Sequence, residues 1–443
     1  MSGIADYFKP RVDPHKVFFD TLDIPCFISS TSALDRYFDI PCGYYLNMAS
    51  TASIVEVART FETLEFPGLD GLDAAVQIPR HVLTGDESYL SGSDLKDDAL
   101  LLISCQLEEG SLGVPRPEST GMFSSFLYSP SARRFYDPEG IYPILRGKQP
   151  LLPSHLGLEG AASWEPWLDA AVILSRYPLK LSAAGPSTEP GLVAMDGGDT
   201  SSEKGTESAE GRRAGERAAL EELFSEPSAG VFPPIDPFRQ REVLVRILEG
   251  RNPQKGLELL RRCGFIESHW PELHSMIQVR QGKEYHPEGD VWDHSLATFS
   301  YRKSANLVIS LALLLHDAGK PQAQEYEGNK FHHHAQIGGR IAGRFLHHLG
   351  FSAGIIEQVL YLVSNHMVPG ITRTLPPFRV KEVISSPLYP LLLEVHRCDL
   401  SSTYRGPEGY YEACKVYRHY LKHLRNPYRD SEGKKRMRMY VEG

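Results

Sequence analysis

Histidine is concentrated in the C-terminal part of this chain, and this restricts what the chain can fold into. Of the 17 histidines in 443 residues, all but His15, His81 and His155 lie at or after residue 269. Neutral imidazole is a common borderline metal ligand, and here it is mixed with carboxylates rather than with thiolates. The mixture favours a hydrolytic metal site over a structural zinc site.

The spacing of these residues predicts how a metal would be held. The apolar run from Leu311 to Leu315 is typical of a helix buried on all sides, and it ends at His316-Asp317. A charged Asp there would be costly to bury without a cation, so we predict a metal site inside a helical bundle. The predicted ligands, gathered from three helices, are His294, His316, Asp317 and Asp399. His334 and His366 are further imidazoles that could hold a second ion.

The order of these motifs resembles that of the HD superfamily of metal-dependent phosphohydrolases. An isolated His is followed by His-Asp with a nearby Gly-Lys, and then by a distant Asp. The phrase YHPEGDVWDHS at residues 285–295 looks more narrowly like the HD domain attached to bacterial class II tRNA nucleotidyltransferases, which are the CCA-adding enzymes and their poly(A) polymerase relatives. The resemblance covers about residues 285 to 425.

A metal in this site would lower the pKa of bound water toward about 7, beside an electrophilic phosphorus. Asp317 could both ligate the ion and orient that water, and Lys320 is placed to neutralise a phosphate oxygen in the transition state. We therefore predict Asp317 and Lys320 as catalytic residues for hydrolysis of phosphomonoesters or phosphodiesters. The metal is left open between Mn, Fe, Ni and Mg, with one or two ions.

Composition limits the possible partners and compartment. The net charge of −9 does not indicate a dedicated nucleic-acid binder, so any RNA contact is expected to be local. The six cysteines show no CxxC spacing, which favours a reducing cytosol. No run approaches the roughly 20 apolar residues of a membrane span. We expect a cytoplasmic protein without a membrane partner.

Residues 1–181 contain short strand-like segments, such as Met122 to Ser129, and a helical stretch at about Ser53 to Leu64, as in an α/β or α+β domain. The resemblance implies a nucleotidyltransferase head here, but its motifs look erased. Ser29-Ser30 stands where the family has a Gly-Gly turn, and Gly43-Tyr44-Tyr45 where it has the Asp-x-Asp metal pair. Nucleotidyl transfer needs two carboxylates that hold Mg²⁺. We predict a catalytically dead head. The scattered acids Asp70, Asp73, Asp86 and Asp94 are possible substitutes.

The nucleotide-reading Glu-Asp-x-x-Arg motif of the family falls near residues 167–177, where only Asp169 and Arg176 are charged. After the head, residues 182–217 lack aromatic residues and predict a disordered linker. The predicted fold class is α+β, with an all-α neck at 218–284, an all-α HD domain at 285–427 and a basic tail at 428–443. In the neck, Arg239 and Arg241 are candidate RNA phosphate contacts, although a solvated basic helix face is the alternative.

Three functions remain open at this point. The first is an HD phosphohydrolase that acts on nucleotide or RNA 3′-end phosphates, with tRNA as a possible partner. The second is a non-catalytic RNA-binding or scaffolding relative of the nucleotidyltransferases, and the third is an active but diverged nucleotidyltransferase. Every HD ligand is present while the head carboxylates are absent, which favours the hydrolase.

Overall fold

The chain divides into two compact units, residues 1–233 and 234–443. The computed structural model describes residues 18–41, 43–69, 71–79, 98–105, 107–109, 115–117, 121–182, 233–277, 279–280, 290–323, 325–326, 330–372, 377–404, 406 and 408–424. The predicted linker beyond Ser182, the start of the neck up to residue 232 and the basic tail lie outside these residues. No described helix is both long and apolar enough to cross a membrane.

The N-terminal unit is built on one mixed sheet of six strands, in the spatial order β3-β4-β2-β1-β7-β8. Its strands are β1 (Cys26–Ser29), β2 (Tyr45–Ser50), β3 (Ala74–Pro79), β4 (Asp98–Ser104), β7 (Leu127–Ser129) and β8 (Arg134–Tyr136). Strands β2 and β4 are parallel and the other pairs are antiparallel. A separate antiparallel pair consists of β5 (Leu107–Glu109) and β6 (Pro115–Pro117).

The α-helices described in this unit are α1 (Ser30–Tyr37), α2 (Ile54–Thr60), α3 (Tyr142–Leu145) and α4 (Glu165–Arg176). The mixed sheet with its helices confirms the α/β character predicted for the head. The predicted helix near residues 53–64 is shorter than expected, because it begins after a capping box at Ser53 and ends at Thr60. Of the predicted strand at 122–129, only Leu127–Ser129 forms a strand.

The described part of the C-terminal unit is almost entirely helical. Its helices are α5 (Pro237–Leu248), α6 (Pro253–Arg262), α7 (Phe265–His269), α8 (Pro271–His274), α9 (Val291–Thr298), α10 (Leu307–Leu315), α11 (His334–His348), α12 (Ala353–Asn365), α13 (Val368–Ile371), α14 (Pro377–Ile384), α15 (Tyr389–Ser401) and α16 (Glu408–Leu424). A two-stranded hairpin, β9 (Glu325–Tyr326) and β10 (Lys330–Phe331), precedes α11. Together the two units confirm the α+β class.

Local sequence accounts for the helices that carry the predicted ligands. In α10 every residue from Ile309 to Leu315 is buried, and the Asn306 side chain caps its start by accepting from the Ile309 amide at 3.0 Å. In the neck, α6 is followed by Gly264, whose φ of +84° is a conformation that favours glycine. The buried helix that the apolar run from Leu311 to Leu315 predicted is confirmed.

Candidate metal centre

Six predicted ligands come together in the C-terminal unit, from five places in the fold. His294 lies within α9, His316 and Asp317 directly follow α10, and His366 directly follows α12. His334 is the first residue of α11, and Asp399 belongs to the last turn of α15. Five of the six are buried and Asp399 is partly exposed. A set so deeply buried can be stable only if its charges are compensated.

The first group of ligand atoms belongs to His294, His316 and Asp399. Nε2 of His294 lies 3.1 Å from Asp399 Oδ1 and 3.4 Å from Nε2 of His316. All the ligand atoms of this group lie within 4.8 Å of one another. Asp317 closes the group, because its Oδ2 lies 3.2 Å from His316 Nε2 and 3.8 Å from His294 Nε2. These four residues are the predicted four-ligand set.

The second group is formed by Asp317, His334 and His366. Asp317 Oδ1 lies 3.4 Å from His334 Nε2 and 3.8 Å from His366 Nε2, and these two nitrogens are 3.2 Å apart. One carboxylate therefore faces the first group with Oδ2 and the second group with Oδ1. His334 and His366, the candidate ligands for a second ion, thus lie beside the first group and share Asp317 with it.

Backbone carbonyls fix which nitrogen of each imidazole is available. Nδ1 of His316 lies 2.9 Å from the oxygen of Leu313, and the corresponding distances are 2.8 Å for His334 to Phe331 and 2.8 Å for His366 to Val363. A carbonyl oxygen can only accept, so each Nδ1 must carry the proton and donate it. The Nε2 lone pairs then point at the shared centre, which is the arrangement that metal-binding imidazoles adopt.

His294 is oriented by a residue that sequence reasoning missed. Ser402 donates its hydroxyl to the Asp399 carbonyl at 2.7 Å, and the same oxygen lies 3.4 Å from His294 Nδ1. Ser402 can therefore accept from Nδ1 while Nε2 of His294 faces the ligand group. Its position three residues after Asp399 in the sequence gives no sign of this contact, which depends on how α9 packs against α15.

The electrostatics of the centre favour the ligating forms of its residues. Burial alone would raise the pKa of Asp317, but the charges of His316 and Lys320 outweigh burial and hold that pKa well below its usual range. Burial alone would also raise the pKa of Asp399, but its close contact with His294 and the neighbouring His316 bring that pKa below its usual range. Burial lowers the pKa of His334, and it lowers that of His366 to about 3. Ionised carboxylates and neutral imidazoles are the forms that bind a metal.

Lys320 also contacts the carboxylate of Asp317. Its Nζ lies 2.6 Å from Asp317 Oδ2 and 5.7 Å from the centre of the Phe331 ring, and the residue is buried. The ammonium group therefore lies at the edge of the ligand cluster, where sequence reasoning expected a phosphate contact. A cation–π contact of this kind helps to hold a lysine in place.

Three neighbouring polar residues that the structure describes belong to neither ligand group. Asp290 caps α9 by accepting from the Asp293 amide at 2.7 Å, whereas His286 lies outside the described residues. His332 and His333 are exposed, whereas His334 is buried. The donor set of imidazoles and carboxylates without thiolates suits a borderline divalent cation, so the six residues could hold one or two such ions.

Residues 291–400 match the HD domain family. The chain carries an HD domain. A CC-adding tRNA nucleotidyltransferase of Thermus thermophilus is 31% identical to this chain over 199 residues, which are 43% of this chain and 44% of that protein. A multifunctional CCA protein of Shewanella denitrificans is 32% identical over 123 residues, which are 27% of this chain and 30% of that protein. The chain thus spans less than half the length of these curated relatives, and they confirm the resemblance that its motifs indicated.

Two solved structures can be compared with the whole chain. A tRNA-processing enzyme, apo form 2, covers 93% of this chain and 95% of its own, with 12% identity and a TM-score of 0.41. A CCA-adding enzyme in complex with ATP covers 94% of this chain and 85% of its own, with 11% identity and a TM-score of 0.39.

The arginines predicted to contact RNA in the neck have partners within the chain. Arg239 Nη1 lies 2.9 Å from Glu242, which also pairs with Arg246 at 2.9 Å. Arg241 donates to the Gly350 carbonyl, and its guanidinium lies 5.0 Å from the centre of the Phe238 ring. Glu258 in α6 similarly binds the two arginines at the end of that helix. Much of the positive charge of the neck is neutralised by its own carboxylates.

In the N-terminal unit the predicted nucleotidyltransferase positions carry other interactions. Tyr45 is buried at the start of β2 and packs edge-on against Tyr44. Ser30 has a φ of +53°, the left-handed conformation that a Gly-Gly turn would adopt without strain. Within the described part of this unit, no three His, Cys, Asp or Glu side chains come together as possible metal ligands.

Of the acids that might have substituted for the missing carboxylates, only Asp73 is described. Its Oδ2 accepts from the Cys105 amide at 2.6 Å, which is a structural role. Asp70, Asp86 and Asp94 lie outside the described residues. At the nucleotide-reading position, Arg176 is buried in a two-point contact with Asp35, with distances of 2.6 and 2.8 Å.

Proposed function

We propose that the HD domain is a metal-dependent phosphohydrolase that acts on phosphomonoesters or phosphodiesters of nucleotides or RNA 3′ ends. One observation carries this proposal: Asp317 turns one oxygen toward His294 and His316 and the other toward His334 and His366. A single carboxylate between two imidazole groups is suited to holding two cations side by side. Such paired sites promote in-line displacement at phosphorus.

The roles of the side chains follow from their positions. His294, His316, Asp317 and Asp399 would hold the first ion, and Asp317, His334 and His366 would hold the second. When bound, a divalent cation such as Mn, Fe, Ni or Mg lowers the pKa of water and polarises a phosphoryl group. Asp317, the predicted catalytic carboxylate, would orient the attacking water. Lys320 would move its ammonium group from Asp317 toward a phosphate oxygen as negative charge develops there.

The relatives favour RNA as the substrate class. Both curated relatives are CC- or CCA-adding proteins, and the Thermus thermophilus protein carries tRNA in its name. A domain attached to such a head would meet the 3′ end of an RNA molecule. We therefore propose tRNA or a tRNA-like RNA as a partner.

Nucleotidyl transfer by the head is a second candidate, because the relatives are named for it. Against it stand Tyr45 and Gly43 at the positions where the family places its metal-binding carboxylates. We expect no CTP- or ATP-dependent extension of tRNA 3′ ends by the purified chain. Incorporation of labelled nucleotide well above background, lost when a nearby Asp is changed, would establish this second function instead. A purely structural role is disfavoured because all six HD ligands are retained.

The test is metal analysis of the full-length protein, followed by a screen of phosphomonoester and phosphodiester substrates. Asp317→Ala should remove the residue that both groups share, so metal content and hydrolysis should fall together. His366→Gln should lower metal content by one ion per chain only if the second group is occupied. Metal-free wild-type protein, or hydrolysis undiminished in Asp317→Ala, would refute the proposal and leave a non-catalytic RNA-binding relative in its place.

A further inference from the structure

The turn between β10 and α11 contains a strained residue directly before a predicted metal ligand. His333 has a φ of +60° and a ψ of +14°, which is the left-handed conformation that most residues with a side chain avoid. Among the described residues of the C-terminal unit, it is the only non-glycine residue with a left-handed backbone. The next residue is His334, which belongs to the second ligand group. Such strain persists where the surrounding structure enforces it, and it is concentrated at functional sites.

The backbone of His333, rather than its imidazole, makes the connection to α11. Its carbonyl oxygen accepts a hydrogen bond from the Ile337 amide at 3.0 Å, as part of the helix. Its side chain is exposed and makes no capping hydrogen bond. His333 therefore acts as a bend, at which the extended chain of β10 turns into α11.

Phe331, two residues before this bend, contacts the metal centre at two points. Its carbonyl oxygen lies 2.8 Å from Nδ1 of His334, so it accepts the proton of Nδ1 and leaves the Nε2 lone pair facing Asp317. Its ring lies 5.7 Å from Nζ of Lys320. The chain must turn sharply between Phe331 and His334 for the carbonyl contact to form, and a left-handed residue permits such a turn.

We infer that His333 is a positioning residue, whose left-handed backbone holds the Phe331 carbonyl against Nδ1 of His334 and so orients that imidazole within the second ligand group. The inference rests on the proposed function, in which this group holds an ion. It assigns the role to the bend and not to the imidazole of His333. Glycine adopts a positive φ without strain, whereas a β-branched residue is strongly disfavoured there, so the two substitutions should have opposite outcomes.

The experiment compares His333→Val with His333→Gly in the full-length protein, with binding of Mn²⁺ measured by calorimetric titration. His333→Val should force the bend out of its left-handed conformation. The second ion should then bind about 10- to 100-fold more weakly, as expected when the hydrogen bond behind a metal-binding imidazole is lost. His333→Gly should bind both ions as tightly as the wild type, because it keeps the bend without the side chain.

Arg133→Val is the matched control. Arg133 is also exposed and has a φ of +52°, in the turn between β7 and β8 of the N-terminal unit. This variant introduces the same backbone clash, so it should lower stability without changing metal binding. Weaker binding of the second ion in Arg133→Val as well would overturn the inference, because the effect would then be one of general destabilisation. Equal losses in His333→Val and His333→Gly would overturn it too, because the imidazole itself would then be required.

Nitrogen NMR of the metal-free protein separates this inference from the proposed function. With isotopically labelled histidine, the spectrum shows which ring nitrogen of His334 carries the proton. We expect Nδ1 in the wild type and in His333→Gly, and loss of this single tautomer in His333→Val. A wild-type protein that binds no metal refutes the proposed function, whereas the tautomer still decides the positioning role. An unchanged His334 spectrum in His333→Val, or unchanged binding of the second ion, would overturn the inference.

Discussion

Gly319 faces the backbone oxygen of His334 so closely that no side chain would fit between them. A Cβ atom on Gly319 would also overlap the amide of Gly338, one turn further along α11. The turn that carries His316 and Asp317 is thereby pressed against the first turn of α11. This close approach brings Asp317 within 3.4 Å of His334 and so joins the two ligand groups.

Gly319→Ala should therefore move α11 away from Asp317 and weaken the second ligand group. We expect a lower metal content per chain and a loss of stability of about 1–3 kcal/mol, since the clash is with backbone. Metal analysis and denaturant unfolding measure the two effects. Gly343→Ala is the control, because its Cβ would meet only a methyl end of Leu360 at 3.3 Å. Normal metal content in Gly319→Ala would show that the close approach does not position His334.

The role of Lys320 can be tested apart from that of the predicted metal ligands. Its Nζ forms an ion pair with Asp317 Oδ2 at 2.6 Å. In Lys320→Met the side chain keeps most of its volume while the charge is lost. We expect the variant to retain its metal at pH 7.5 and to lose about 10²-fold in kcat, which is typical of removing one electrostatic contact to a transition state. Loss of metal along with kcat would show instead that Lys320 acts by holding Asp317 in place.

That these six residues would lie together was predictable, because each residue type is chemically distinctive and the helices around them have clear apolar spacing. Their division into two groups that share Asp317 was not predictable, because it depends on the close approach at Gly319. The pairing of the neck arginines had a sequence signal that went unused. Glu242 is three residues after Arg239 and four before Arg246, a spacing that places oppositely charged side chains together on a helix.

In the N-terminal unit, the buried contact between Asp35 and Arg176 ties α1 to α4. Arg176→Met would leave the Asp35 carboxylate buried with only the Tyr177 hydroxyl donating to it and no compensating charge, so we expect the unit to lose about 3–5 kcal/mol of stability. The double variant Asp35→Leu/Arg176→Met should recover most of that loss, since no buried charge remains. Unfolding curves of the single and double variants provide the measurement, with metal content as a check that the HD centre is unaffected. Equal destabilisation of both variants would contradict a charge effect.

His396 lies one turn before Asp399 on α15, and it is buried with neither ring nitrogen hydrogen-bonded within the described part of the chain. Its ring packs near Gly370 and Gly409. Burial lowers the pKa of this imidazole below its usual value. The unfolded chain therefore takes up a proton at His396 as the pH falls through about 6.5, while the folded chain does not, and stability is lost as the pH decreases.

His396→Leu removes this proton linkage and replaces an unpartnered polar ring with an apolar side chain of similar size. We expect a gain of about 1 kcal/mol at pH 8, because a buried polar group without a partner carries a desolvation penalty. The gain should be larger at pH 5.5, where the wild-type protein also loses stability through protonation of its unfolded state. Denaturant unfolding of the variant and the wild type at pH 8 and at pH 5.5 measures the stability gain at each pH. A variant that is less stable than the wild type at both would show that the His396 ring has a partner that this arrangement does not account for.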